Sequence, residues 1–235
     1  MEKKSAQSAK IEWDAIFRSL EAWRKELQRS AAAGEAADPS VTTVAERYRR
    51  DPWAVLVSTI LSLRTKDEVT LESSKRLLEK APSPVKMAAL REDTVARLAY
   101  PAGFYRTKAA SLKKIAAILL KDYGGTVPAD MDALLALPGV GRKTANLVLI
   151  EAFDLPGICV DIHVHRISNR CGWLVTKAPE ETEMTLREIL PKKYWKTINS
   201  LLVLYGQNLC RPVSPFCSRC VIENQCKRTG VERFR

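Results

Sequence analysis

The run Leu137-Pro138-Gly139-Val140-Gly141-Arg142-Lys143-Thr144-Ala145 sets two glycines and two cations between two helical stretches. A short helix over Asp132–Ala136 is followed by a Gly-x-Gly turn and then by a second helix. Glycine admits positive φ and lets the backbone approach a ligand closely. The N–H groups that open the second helix can hold a phosphate, aided by the helix dipole. Such a hairpin grips a DNA backbone without reading its sequence. An ordinary αα-turn that happens to use glycine is the alternative reading, and Arg142 and Lys143 argue against it. The second chemical signal is Cys210-x6-Cys217-x2-Cys220-x5-Cys226. Four thiolates so close in sequence can surround one metal centre. Structural zinc usually draws on two C-x2–4-C pairs, and here the middle pair alone has that form. A [4Fe–4S] cube accepts a single looping segment, so the cluster is the first reading and zinc the second. Cys159 and Cys171 sit in apolar helical contexts, where a buried inert thiol is expected.

The elements that must carry these residues read as helices. Ile11, Ala15, Phe17, Leu20, Trp23 and Leu27 share one face of a 3.6-residue repeat. Pro52 opens an apolar helix to about Leu63. Thr65–Lys80, Arg106–Lys121, Thr144–Phe153, His163–Cys171, Pro179–Leu190 and Tyr194–Leu209 have helical spacing as well, with prolines between them. The fold class is all-α. Residues 29–40, small and polar, read as a mobile loop, and about the first ten as disordered.

The chain has 235 residues, 38 Lys and Arg against 27 Asp and Glu, and a net charge of +11, which favours a polyanionic partner, nucleic acid first. Its longest apolar stretch, Trp53–Leu63, falls short of the ~20 residues a spanning helix needs. The N-terminus has no apolar signal region, so a cytoplasmic protein is expected, associated with the nucleoid in a prokaryote.

Together the hairpin and the cysteines resemble the endonuclease III family of DNA glycosylases. The resemblance runs from about residue 40 to Cys226. It rests on Leu61-Ser62, Asp67, Gly103-Phe104-Tyr105, Lys108, Leu137–Asn146, Val160-Asp161 with His163, and the four-cysteine pattern. It implies a six-helix barrel over 46–155 holding the helix-hairpin-helix. A second helical domain over 156–235 carries the [4Fe–4S] loop and is joined by the segment 1–45. It implies that Lys143 is the nucleophile of a bifunctional glycosylase and abasic-site lyase that removes oxidised pyrimidines from duplex DNA. The neutral amine attacks C1′, the base leaves, and the Schiff base permits β-elimination. Desolvation or neighbouring positive charge, from Arg142 and the helix N-terminus, would help supply that neutral form. Asp161 would stabilise the positive, oxocarbenium-like C1′ or orient Lys143; a helix N-cap is its plainer role, and both can hold.

The resemblance sets Arg64 and Phe104 at the plug and wedge positions that fill the duplex when a nucleotide flips. There the family often has glutamine and leucine. Leu137, Gly139, Val140, Gly141, Arg142 and His163 complete the DNA-facing set. Ile162 departs from a more usual threonine, with little effect expected on chemistry. His163 and His165, two apart on a helix, diverge, so a metal pair is not expected. Cys210, Cys217, Cys220 and Cys226 would be the cluster ligands, and double-stranded DNA with a damaged pyrimidine or an abasic site the partner of a monomer. The competing readings are a monofunctional mismatch glycosylase, whose members commonly lack this lysine, and a non-catalytic DNA-damage-binding protein.

Overall fold

The computed structural model describes residues 11–30 and 40–235. Its described residues form twelve α-helices, three short 3-10 turns and no strand. Two separate hydrophobic cores organise them. The first gathers residues from Val41 to Leu149. It is built by α2 (Ser40–Arg47), α3 (Pro52–Ser62), α4 (Asp67–Lys80), α5 (Pro84–Ala89), α6 (Glu92–Ala99), α7 (Tyr105–Asp122), α8 (Met131–Leu135) and α9 (Arg142–Phe153). Helix α3 is its axis. Asp51 caps α3 by accepting the Ala54 N–H at 2.8 Å, Pro52 fills the first turn, and every residue from Trp53 to Leu61 is buried.

The second core takes α10 (Ile162–Cys171), α11 (Pro179–Ile189) and α12 (Ile198–Asn208), and it recruits α1 (Trp13–Ser30) from the other end of the chain. Trp13, Ile16, Phe17 and Leu20, at i, i+3, i+4 and i+7, bury the inner face of α1. At ~1.5–3 kcal/mol for each large apolar side chain, that face contributes ~6–12 kcal/mol before the entropy of ordering is subtracted. Phe17 stacks on Tyr194 with ring centroids 3.8 Å apart, and Trp13 meets Trp173 edge-on at 5.1 Å.

The helices expected from periodicity are present with small shifts in their ends. Tyr194–Leu209 is not one helix: a 3-10 turn at Lys192–Tyr194 precedes α12, and the Trp195 indole bonds back to Leu190 O at 2.8 Å. Of the expected loop, Arg29 and Ser30 finish α1 and Ser40 opens α2. Residues 31–39 and the first ten lie outside the described residues. Among the described residues no helix is long and apolar enough to cross a membrane.

Candidate active site

A cleft of about 770 Å³ opens between residues of the two cores. Gly139, Arg142 and Lys143 line it from the hairpin and α9; Asp161, Ile162 and His163 line it from α10; Arg64 and Phe104 come from two loops of the first core. The hairpin explains one wall. Gly139 adopts φ +81°, which its lack of a Cβ permits. Gly141 has φ −99°, and a Cβ there would meet nothing within 4 Å, so this glycine leaves open space in front of the first turn of α9. Leu137 and Val140 lie in the core with 2% and 7% exposure. Their backbone N–H groups donate within the hairpin, Leu137 to Leu134 O and Val140 to Leu137 O, both at 3.1 Å.

Lys143 stands in that first turn. Its Nζ lies 4.0 Å from Asp161 Oδ2 across the cleft. Asp161 is the N-cap of α10, and its Oδ1 accepts the N–H groups of His163 and Val164, both at 2.9 Å. The cap consumes one carboxylate oxygen and aims the other at the lysine. The side chain of Asp161 is 9% exposed and that of Lys143 is 44% exposed, so the anion is fixed and sheltered while the amine is accessible.

Arg142 beside it does not point freely to solvent. Its Nε and Nη2 donate to Glu183 Oε2 and Oε1 on α11 at 2.9 and 2.7 Å. Arg187, one turn further along α11, donates to the same Oε1 from Nε and Nη2 at 3.1 and 3.0 Å, and it stacks over Trp195. Burial raises the Glu183 carboxyl, but hydrogen bonds from Arg142, Asn146 and Arg187 outweigh it and hold the pKa below the ordinary value. This charged cluster ties the start of α9 to the second core one residue before Lys143.

His163 is half-buried. Its Nδ1 lies 3.1 Å from Arg166 Nη2, which also donates to Cys210 O at 2.9 Å. Desolvation pulls the imidazole pKa down. His165 has other partners: its Nδ1 sits 2.6 Å from Thr182 Oγ1 on α11. The opposite wall carries Arg64, whose guanidinium lies 5.5 Å from the Phe104 ring centroid, with Phe104 62% exposed.

Away from the cleft, Cys210, Cys217, Cys220 and Cys226 line one cavity. Three of these sulfurs accept protein hydrogen bonds: Cys210 from Arg170 Nη1 at 3.3 Å, Cys220 from Tyr205 Oη at 3.2 Å and Cys226 from the Arg228 N–H at 3.4 Å. Among the described residues no group of three or more His, Cys, Asp or Glu side chains could hold a single metal ion. Cys159 is fully buried and its thiol is pushed up to about 12 by desolvation, whereas Cys171 lines the four-cysteine cavity as a fifth thiol.

Residues 57–192 match the HhH-GPD superfamily of base excision DNA repair proteins. The chain is 46% identical over 177 residues to an endonuclease III of Thermotoga maritima, covering 75% of this chain and 83% of that protein. The chain belongs to the endonuclease III family. An endonuclease III homolog 2, chloroplastic, of Arabidopsis thaliana is 39% identical over 223 residues, and the match spans 57% of that longer protein. A solved structure of a trapped endonuclease III–DNA covalent intermediate superposes with a TM-score of 0.75 at 32% identity, covering 92% of this chain and 95% of that one.

Within this endonuclease III fold, the cleft gathers Lys143, Asp161, Arg142, His163, Gly139, Arg64 and Phe104, while the four cysteines form a separate cavity. Glu183 in the cleft and two arginines outside it escaped the sequence reading. Glu183 had a local signal in its i,i+4 partner Arg187, but Arg142 is 41 residues away. Arg166 and Arg170 on α10, which reach the cysteine loop, have no motif to mark them.

Proposed function

We propose that the protein is a base-excision-repair DNA glycosylase and abasic-site lyase that removes oxidised pyrimidines from duplex DNA. The observation that carries this reading is the Lys143 amine 4.0 Å from the capped carboxylate of Asp161, in a cleft wide enough for an extruded nucleotide. The neutral Lys143 amine forms a bond to C1′ as the glycosidic C–N bond breaks, and the base departs with the bonding pair and takes up a proton. Opening of the sugar ring at O4′ gives the protonated imine between Lys143 and C1′. Loss of the C2′ proton then expels the 3′ phosphate by β-elimination. Asp161 Oδ2 is placed both to accept the ammonium proton of Lys143 and to offset positive charge as it grows at C1′. The hairpin backbone from Leu137 to Gly141 holds the DNA phosphates. Arg64 and Phe104 enter the gap left by the flipped nucleotide, and His163 lines the cleft beside Asp161.

Cys210, Cys217, Cys220 and Cys226 would hold a [4Fe–4S] cluster, a reading supported by four thiols around one cavity, N–H and O–H donors on three of their sulfurs, and ligand spacing unlike the two C-x2–4-C pairs usual for structural zinc. Bound there, the cluster would supply a structural tie, with Arg170 of α10 and Tyr205 of α12 already donating to the sulfurs of Cys210 and Cys220. We divide the chain into two helical units, one around each core, with α1 in the C-terminal unit; Val41, Val44 and Ala45 of α2 pack in the first core, not with the C-terminal unit expected to take the segment 1–45. The protein acts as a monomer in the cytoplasm, at the nucleoid of a prokaryotic cell. A monofunctional or purely DNA-binding protein would not need Lys143 facing Asp161.

The test is borohydride trapping on a duplex with one thymine glycol. A covalent protein–DNA band that disappears in Lys143→Ala, with DNA affinity retained, supports the reading. Strand cleavage of abasic DNA by Lys143→Ala at the wild-type rate would refute it.

A further inference from the structure

Lys108 is a lysine 6% exposed in the first core, on α7 one turn after Phe104. Its ammonium has three protons and three oxygens around it: Leu61 O at 2.7 Å, Leu63 O at 2.6 Å and Thr65 Oγ1 at 2.8 Å. The two carbonyls close the C-terminal end of α3, where the helix dipole favours a cation. Burial alone lowers the pKa, to about 8. An ammonium is costly to bury and is retained where its hydrogen bonds are complete.

These bonds join two loops. The first, after α3, carries Arg64 at φ 52°; the second, before α7, carries Phe104 at φ 56°. Both residues sit in the left-handed region that side chains seldom adopt, so something must hold them there. Thr65 Oγ1 takes the Gly103 N–H at 3.0 Å as well as the Lys108 ammonium. A Cβ on Gly103 would lie 2.4 Å from Arg64 O, so the loops touch backbone to backbone. The result is Arg64 and Phe104 raised side by side at the mouth of the cleft.

We infer that Lys108, with Thr65 as its relay, is the positioning residue that fixes Arg64 and Phe104 as one rigid wedge for opening paired DNA. This rests on the reading of Arg64 and Phe104 as the residues that fill the vacated duplex. Lys108 borders the cleft, but its three ammonium protons are taken by Leu61 O, Leu63 O and Thr65 Oγ1, so it acts through these loops and not on the sugar. Its loss weakens the step that extrudes a nucleotide and leaves the chemistry of an already unpaired nucleotide alone.

The experiment compares single-turnover release of thymine glycol from a fully paired duplex with release from the same strand unannealed, which needs no extrusion. The variants are Lys108→Met, Thr65→Val and, as the reference for a lost wedge, Phe104→Ala. The expected result is a duplex-to-single-strand rate ratio about tenfold or more below wild type in Lys108→Met, in line with the loss of a buried hydrogen-bonded charge, and a smaller drop in Thr65→Val. Thr65→Val leaves Lys108 its two carbonyls, so it keeps the test open if Lys108→Met does not fold. An unchanged ratio in both Lys108→Met and Thr65→Val, or rates falling equally on both substrates, while Phe104→Ala lowers the ratio, overturns the role of Lys108. If Phe104→Ala leaves the ratio unchanged too, the wedge reading itself fails and the inference falls with it.

Discussion

Replacing Glu183 with glutamine tests how the cleft is held in register. The carboxylate is 3% exposed and accepts four hydrogen bonds from two guanidiniums. Removing one partner of a fully buried ion pair costs about 3–5 kcal/mol. Here the side chains of Arg142 and Arg187 are 36% and 26% exposed, so water re-solvates them and the cost falls by roughly half, to ~2 kcal/mol. In a chain of this size 1 kcal/mol moves the unfolding midpoint by ~2–4 °C, so Glu183→Gln should melt ~4–8 °C lower by circular dichroism at pH 7. The sign of the pH dependence follows from a carboxyl held below its ordinary value of 4.5. The stabilisation is complete above that pH and is lost as the pH falls through the lower folded-state value. The gap between wild type and variant should therefore stay constant from pH 8 to about 5 and close only in more acid solution. Because Arg142 adjoins Lys143, borohydride trapping should slow as well. A midpoint within 1 °C of wild type, or a gap that closes between pH 8 and 6, would refute the reasoning.

Asp161→Asn keeps an oxygen to cap α10, so its melting midpoint should stay near wild type while single-turnover excision falls ~10²–10³-fold; equal excision rates would remove Asp161 from the chemistry. Gly206→Ala would put a methyl 2.3 Å from His163 Nδ1 and 2.8 Å from Arg166 Nη2. The variant should be destabilised by ~1–3 kcal/mol in urea unfolding, and a neutral effect would mean this contact is loose. Cys217→Ser should lose the broad visible absorption of an iron–sulfur protein, and a colourless wild type containing zinc would sink the cluster assignment.

What the chain displayed openly was chemistry carried by short, contiguous segments. The hairpin around Lys143 is a local motif and Asp161 before a helix reads as a cap, but the chemical roles expected of both came from the resemblance to the family, since the hairpin alone suggests a phosphate contact. The short helices α5 and α6 were passed over although Ser83 and Pro84 are a cap and a first-turn proline; in the sequence they read as punctuation. Arg142 read as a cation free to meet DNA. Its partner is on α11, and no local pattern joins residues that distant. Lys108 could be noted as part of the family's pattern, but its three oxygens come from the end of another helix and the loop after it. Backbone carbonyls leave no mark in a sequence.

The recruitment of α1 into the second core also fixes the order in which a growing chain can become an enzyme. Everything the first core needs, from Val41 to Leu149, is present before α10 has been made. The apolar face of α1 is made before the first core, yet its partners run from Ile158 to Ile222, so it must wait until they have been made. Domains generally form as their residues become available. The lysine wall can therefore stand during synthesis while the aspartate wall does not. A nascent chain halted before α10 carries the hairpin and Lys143 without Asp161, and the second wall of the cleft belongs to a core that is complete only when α1 has packed against α10–α12.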